Sequence, residues 1–274
     1  MIIWLASYPK SGNTWVRLFL SSLLHPKSEL DINNIQINQF PNKKHYTNIL
    51  DDFNDIKKIV KNCLNAQYFI NLDNKVKILK THSANWVSGN NVFTNSENTL
   101  GVIHIVRDPR NIITSIKNHF GKNSYDEALD FIKDEKKFIG SKDNEEEFDI
   151  PTLISSWDNH YKSWVKFKKN NLLIKYEDIL HDPNKEFFKI IKFLNCITNF
   201  KFKDENIEKS ILECNFENLK KQEEQKGFVE ASKNKSKKFF NLGPKNNWND
   251  ILKKDIKEKI ETIFKNEMKN LNYL

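Results

Sequence analysis

Three short polar strings carry residue types that could handle an anion and a proton. Ser7-Tyr8-Pro9-Lys10-Ser11-Gly12-Asn13-Thr14 places a cation, a glycine and a hydroxyl in one loop. Amides around such a glycine, followed by a helix N-terminus, form a cradle for a phosphate. The string approaches the nucleotide-binding pattern G-x-x-x-x-G-K-[ST] through Gly12 and Thr14. Ser7 stands for the first glycine, Asn13 fills the lysine position, and the lysine has moved three places earlier, to Lys10. A cation leading the loop lies close to the first phosphate and its bridging oxygen, whereas an ATP-type lysine reaches past the β-phosphate. Lys80-Thr81-His82 supplies an imidazole, whose reference pKa of about 6.5 lets it take a proton near neutrality. Arg107 and Ser115, eight residues apart, offer a guanidinium fork and a hydroxyl to a second anionic group.

Such strings need rigid elements to bring them together. Ile2 to Ala6 is an apolar run of strand length, and Trp15, Leu18, Phe19 and Leu23 continue as a helix to about Leu24. Residues 26–50 have no clear period. The spacing predicts a helix over 51–65 and a second strand at Val76, Ile78 and Leu79. Gly101 to Val106 reads as a third strand, and Asp108-Pro109 as the start of a helix. Residues 121–150 read as a polar insertion, followed by a helix over 152–168, a strand at Leu172 to Lys175 and a helix from Asp182-Pro183. A C-terminal helix places Leu252, Ile256, Ile260, Ile263 and Leu271 on one stripe. Strands alternating with helices imply an α/β fold with a central parallel sheet flanked by helices. All three polar strings follow strands, so they fall on the carboxyl rim where such sheets bind ligands.

The 274 residues suit one domain, expected to span 1–274. The net charge of +8 comes from dispersed lysines, which read mostly as a solvated surface, and no nucleic-acid-binding signature is present. Cys63, Cys196 and Cys214 share no ligand-like spacing, so neither a disulfide framework nor a metal site is expected. No apolar run reaches the ~20 residues of a membrane span, and the N-terminus lacks the basic start of a signal peptide. The expected location is cytoplasmic.

Tyr8-Pro9-Lys10-Ser11-Gly12-Asn13-Thr14-Trp15 resembles the Y-P-K-S-G-x-T-W loop of sulfotransferases that use 3′-phosphoadenosine 5′-phosphosulfate (PAPS). Arg107 with Ser115 resembles that family's 3′-phosphate motif, Lys80-Thr81-His82 its K-T-H segment, and Tyr176-Glu177-Asp178 with Asp182-Pro183 its Y-E-D…D-P segment. The resemblance implies a three-layer, P-loop NTPase-like architecture and sulfonate transfer from PAPS to a hydroxyl or amine. It implies His82 as general base, Lys10 on the bridging oxygen and Lys80 on the sulfonate or acceptor. Ser11, Gly12, Asn13 and Thr14 would cradle the 5′-phosphate, with Trp15 stacked on adenine. Arg107 and Ser115 would hold the 3′-phosphate, Tyr176 the adenine side, and Phe216 a second aromatic wall. His25, His45, His104, His119, His160 and His181 have no comparable context. No metal is expected, because cations and amides can carry the leaving group's charge.

The family's late R-K-G-x-x-G-D-W segment corresponds to Asn241-Leu242-Gly243-Pro244-Lys245-Asn246-Asn247-Trp248. Gly243 and Trp248 keep their spacing, but the Arg-Lys pair is replaced by Asn241-Leu242. Lys238 or Lys245 is the candidate compensating cation. Residues 220–248 read as a lid-like segment, polar and mobile over 220–238. The first strand opens at Ile2, without the extension that shapes the acceptor pocket in many members, so the acceptor must be met by 26–50, 83–95, 121–160 and the lid. A small molecule, a glycan or a lipid headgroup all remain open as acceptor, and oligomeric state is not readable. Two other readings stay in view: a metal-dependent P-loop kinase, which wants a lysine at position 13, and a nucleotide-binding scaffold with weakened catalysis.

Overall fold

The computed structural model describes the chain except Asn54 and residues 141–149, 232–237 and 241–242. In chain order, β1 (Ile2–Ser7) leads into α1 (Asn13–Leu24), then α2 (Ile56–Lys61), α3 (Cys63–Asn71) and β2 (Lys77–Thr81). A two-residue ladder of β3 (Val87–Ser88) and β4 (Asn91–Val92) precedes β5 (Thr99–Val106) and α4 (Pro109–His119). Next come α5 (Tyr125–Lys133), the pair β6 (Phe138–Ile139) and β7 (Thr152–Leu153), α6 (Trp157–Val165) and β8 (Asn171–Lys175). Helices complete the chain: α7 (Tyr176–His181), α8 (Pro183–Ile197), α9 (Asp204–Glu213), α10 (Phe216–Lys226), α11 (Trp248–Ile251), α12 (Lys254–Ile263) and α13 (Lys265–Asn270).

Four strands form one parallel sheet in the order β2-β1-β5-β8. Every residue of β1 is buried, because helices cover both faces. The two-residue period of a strand sends Ile3 and Leu5 to one face, where they join Val16, Phe19 and Leu20 of α1 and Phe187 and Ile190 of α8. Ile2, Trp4 and Ala6 go to the other face, against Phe40, Tyr46, Ala66 of α3 and Trp164 of α6. Burial of each such large side chain contributes ~1.5–3 kcal/mol. This is the three-layer α/β architecture expected. The chain leaves β1 to one side for β2 and later to the other for β5, so the carboxyl end of β1 is the switch point of the sheet.

Several boundaries differ from the pattern in the sequence, each with a local cause. The helix expected over 51–65 starts at Ile56, because the Asp55 side chain accepts from the amides of Lys57 and Lys58. It breaks at Asn62 and runs on as α3 to Asn71. The polar insertion is not all loop. Ser124 caps α5, whose Ala128, Leu129 and Ile132 enter a third cluster with α4 and α12, while the acidic run 143–147 lies outside the described residues. The helix expected from 152 begins at Trp157, after β7, a positive φ at Ser155 and a cap from Ser156. The C-terminal stripe is carried by three helices. Leu252 and Lys253 are extended, and Ile256, Ile260, Phe264 and Met268 are buried while Ile263 is half exposed. Finally, α10 occupies 216–226, so the first part of the expected mobile lid is a helix that buries Leu219 and Glu223.

Candidate active site

A cavity opens at the carboxyl ends of β1, β2 and β5. Its lining includes Lys10, Gly12, Asn13, Thr14 and Trp15 after β1, Lys80 and His82 at the end of β2, and Arg107 and Ser115 after β5. Tyr176, Phe216 and Gly243 join from later elements. Of the residues expected to act in catalysis or to hold the donor, Ser11 is the one absent from the lining. It is fully buried, and its amide donates to Tyr8 O at 3.3 Å to close the turn.

The loop is shaped by two residues with positive φ, Lys10 at 67° and Gly12 at 97°. Gly12 is required twice over, since a Cβ there would also overlap Cδ2 of Tyr176. Arg107 lays its guanidinium 4.1 Å from the centroid of the Tyr176 ring and donates to Lys10 O at 2.9 Å. Tyr176 thus packs against both the loop and the arginine, and burial raises its pKa. Glu177 accepts from the Asp108 amide at 3.0 Å and from the Tyr273 hydroxyl at 2.9 Å, tying the β5–α4 junction to the C-terminus. Gly12→Ala is expected to cost about 1–3 kcal/mol from the backbone alone. Thermal unfolding against the unchanged chain reads that loss.

Asn13 does not aim its side chain at a ligand. Its Nδ2 donates to Leu5 O at 3.1 Å and to Ser7 Oγ at 3.0 Å, so the amide nitrogen is spent on the strand. Ser7 in turn holds His82. The imidazole Nδ1 lies 2.8 Å from Ser7 O and 3.2 Å from Ser7 Oγ. A carbonyl oxygen only accepts, so Nδ1 carries the proton and Nε2 the lone pair. Burial, with Lys80 and Arg17 nearby, pushes the His82 pKa well below its usual value, against the opposing pull of the Ser7 hydrogen bond and Glu230. The imidazole is therefore neutral and able to accept a proton at neutral pH.

Trp15 lines the cavity while its Nε1 donates to Cys214 O at 2.7 Å, and its ring meets Tyr176 and Phe187 edge-on. That bond fixes the end of α9 and hence the start of α10, where Phe216 sits beneath Gly243, so that a Cβ on Gly243 would overlap its ring. Lys10 Nζ lies 4.0 Å from the centroid of Phe239. Phe239 and Phe240 are in turn pinned to α10 by their amides, which donate to the Glu223 carboxylate at 2.6 and 2.8 Å. Of the two candidate compensating cations, Lys238 lines the cavity and pairs with Glu224 at 2.6 Å, whereas Lys245 is exposed and outside the lining. The Asn241-Leu242 replacement lies outside the described residues.

The lining residues not picked out from the sequence include His119, Asn246 and Glu230. His119 stands one helical turn past Ser115, a spacing that puts both on one face of α4 and could have revealed it. Burial and the charges of Lys10 and Lys80 push its pKa down to about 3. Asn246 donates to Ser115 Oγ and to Asn111 O, both at 3.1 Å. Glu230 accepts from Thr14 Oγ1 at 3.2 Å and from Arg17 at 2.6 Å. Nothing local in the sequence marks the last two. Buried His104 has its pKa lowered to about 3 by burial, in keeping with a packing residue. Cys63 and Cys214 are buried free thiols, and Cys196 is exposed.

Known proteins resemble this chain in sequence and in fold. The chain is 24% identical to flavonol 4'-sulfotransferase of Flaveria chlorifolia, over 95% of this chain and 77% of that one. It is 22% identical to cytosolic sulfotransferase 5 of Arabidopsis thaliana, over 97% and 79% respectively. Its fold matches the crystal structure of mouse sulfotransferase SULT7A1 complexed with PAP, with a TM-score of 0.60, 20% identity and coverage of 99% and 84%. A retinol dehydratase in complex with androsterone and inactive cofactor PAP matches with a TM-score of 0.59, 17% identity and coverage of 98% and 80%. The sulfotransferase domain model spans residues 2–272, nearly the whole chain, which therefore belongs to the sulfotransferase family.

Proposed function

We propose that this sulfotransferase takes its sulfonate from PAPS and delivers it by in-line displacement to a hydroxyl or amine of a small acceptor, releasing 3′,5′-adenosine diphosphate. The observation that carries this reading is the meeting of Lys10, Thr14, Lys80, His82, Arg107 and Ser115 around one cavity, from the ends of three adjacent strands. Two anion-binding groups suit a donor with separate 5′ and 3′ anions, and a neutral base suits an acceptor that must lose a proton.

In this reading the amides after Gly12 and the Thr14 hydroxyl hold the 5′-phosphate, and Lys10 neutralises the bridging oxygen as the S–O bond breaks. Arg107 and Ser115 hold the 3′-phosphate, with Asn246 beside Ser115 as a further polar neighbour. Trp15, Tyr176 and Phe216 bound the adenine. His82 Nε2 takes the acceptor's proton, while Lys80 steadies the sulfonate. Asn13 contributes indirectly, by fixing the Ser7 that orients His82. A kinase-type lysine has no place here, because position 13 is turned toward the strand.

The apolar flank of Phe120, Ile139, Phe239 and Phe240 suits an acceptor with an apolar body. The retinol dehydratase structures, which contain retinol or androsterone beside PAP, are consistent with such an acceptor. A cytoplasmic location belongs to the same reading: the relatives include proteins named cytosolic sulfotransferases, and no helix among the described residues is long and apolar enough to cross a membrane.

Calorimetric titration with 3′,5′-adenosine diphosphate, beside ADP and ATP with magnesium, tests the donor. The expected result is binding of the 3′-phosphorylated nucleotide at least ~10-fold tighter than ADP, from the charge-assisted hydrogen bonds of Arg107. Arg107→Ala is expected to erase that preference. Preference for ATP with magnesium would overturn the reading.

A further inference from the structure

Glu230 is the one acidic residue among the described residues that line the cavity, in a wall that also holds Lys10, Lys80, Arg107 and Lys238. Its carboxylate takes the Thr14 hydroxyl at Oε2, 3.2 Å away, and the Arg17 guanidinium at Oε1, 2.6 Å away. The Arg17 and Glu230 side chains are only 6% and 8% exposed. Arg17 follows Thr14 by three residues on α1, so both donors rise from one helical face toward one carboxylate. Arg17 is anchored from behind through Ile37 O at 3.4 Å.

Glu230 reaches this position because its segment is docked. Asn33 donates to Gly227 O at 3.1 Å and accepts from the Val229 amide at 2.9 Å, gripping the chain just before Glu230. The contact with Thr14 is thus part of how residues 227–230 pack over the cavity.

We infer that Glu230 is a built-in competitor for the donor's 5′ anion, and that Arg17 is the cation that holds it against the cradle. This deepens the PAPS reading above and rests on it. The Thr14 hydroxyl has one proton to donate, so a carboxylate and a phosphosulfate oxygen cannot both have it. Two anions brought within a few ångströms in a poorly solvated site also repel each other strongly. The donor therefore gains Thr14 only as Glu230 withdraws, and its affinity is reduced by the fraction of molecules in which Glu230 holds the hydroxyl. Glu230 sets donor affinity in this way without contacting the donor.

The test compares the unchanged protein with Glu230→Gln and Glu230→Asp by calorimetry, using 3′,5′-adenosine diphosphate and adenosine 3′-monophosphate. Glutamine keeps an oxygen for Arg17 but removes the charge; aspartate keeps the charge but shortens its reach toward Thr14. For Glu230→Gln, 3′,5′-adenosine diphosphate is expected to bind about tenfold tighter, and adenosine 3′-monophosphate, which has no 5′ anion, to change by less than about twofold. Glu230→Asp is expected to lie between, and it decides the matter if the glutamine variant does not fold. Unchanged or weaker binding of the diphosphate would overturn the inference, as would equal tightening of both nucleotides. If no variant binds either nucleotide while ATP with magnesium binds, the donor reading itself fails and the inference falls with it.

Discussion

His82→Asn is expected to lower kcat by about 10²–10⁴-fold while leaving the affinity for 3′,5′-adenosine diphosphate within about threefold. Asparagine is the informative choice, because its amide can reproduce the bond that Nδ1 makes to Ser7 O at 2.8 Å. What it removes is the basic Nε2. A merely structural histidine would be rescued by asparagine, whereas a general base would not. Titration of the ring by NMR provides a second check. Burial and Lys80 hold the pKa well below its ordinary value of about 6.5, so the ring stays neutral as pH falls through that value. Donor binding brings negative charge close to His82, which favours the imidazolium and raises the pKa. An upward shift on adding 3′,5′-adenosine diphosphate is therefore expected, and a ring already protonated at pH 6.5 without nucleotide would contradict the assigned role.

Lys10→Met is expected to lower kcat by about 10²–10³-fold, again with a smaller effect on nucleotide affinity. Charge on the bridging oxygen develops only as the S–O bond breaks, so the cation stabilises the transition state more than the bound donor. Methionine keeps the length of the lysine stem to Cε and removes the charged nitrogen. The substitution adds no new backbone strain, since neither residue is a glycine at φ 67°. The Lys10 carbonyl stays available to Arg107, which donates to it at 2.9 Å. A loss of nucleotide affinity with kcat unchanged would place Lys10 in ground-state binding. Single-turnover kinetics with PAPS separates the two.

The order of the polar strings was readable because it depends on local rules. Ile2 to Ser7 is short, apolar and followed by a loop with Gly12, and no partner is needed to see that as a strand and a cradle. Asp108-Pro109 starts a helix through its own side chain, which accepts from the Arg110 amide. Where several elements compete for the same residues, local reading was weaker. The C-terminal stripe is divided among three helices because Leu252 and Lys253 are extended, so packing on α4 and α5 selects Ile256 and Ile260 while Ile263 faces solvent. The start of the lid folds as α10 because Leu219 and Glu223 have partners in Trp15's neighbourhood and at Phe239 and Phe240.

By itself the sequence determined the parallel α/β sheet and the placement of Lys10, Lys80, His82, Arg107 and Ser115 on one rim. Strand and helix periods, and the loops directly following strands, are properties of neighbouring residues. Only the tertiary structure decided that Asn13 turns inward to hold Ser7, that Arg107 and Gly12 both pack on Tyr176, and that Asn246 meets Ser115. It alone brought Glu230 to Thr14, 216 residues away along the chain. A contact of that separation leaves no period or spacing in the sequence, because it forms only when the packed sheet and helices bring distant segments to the same rim.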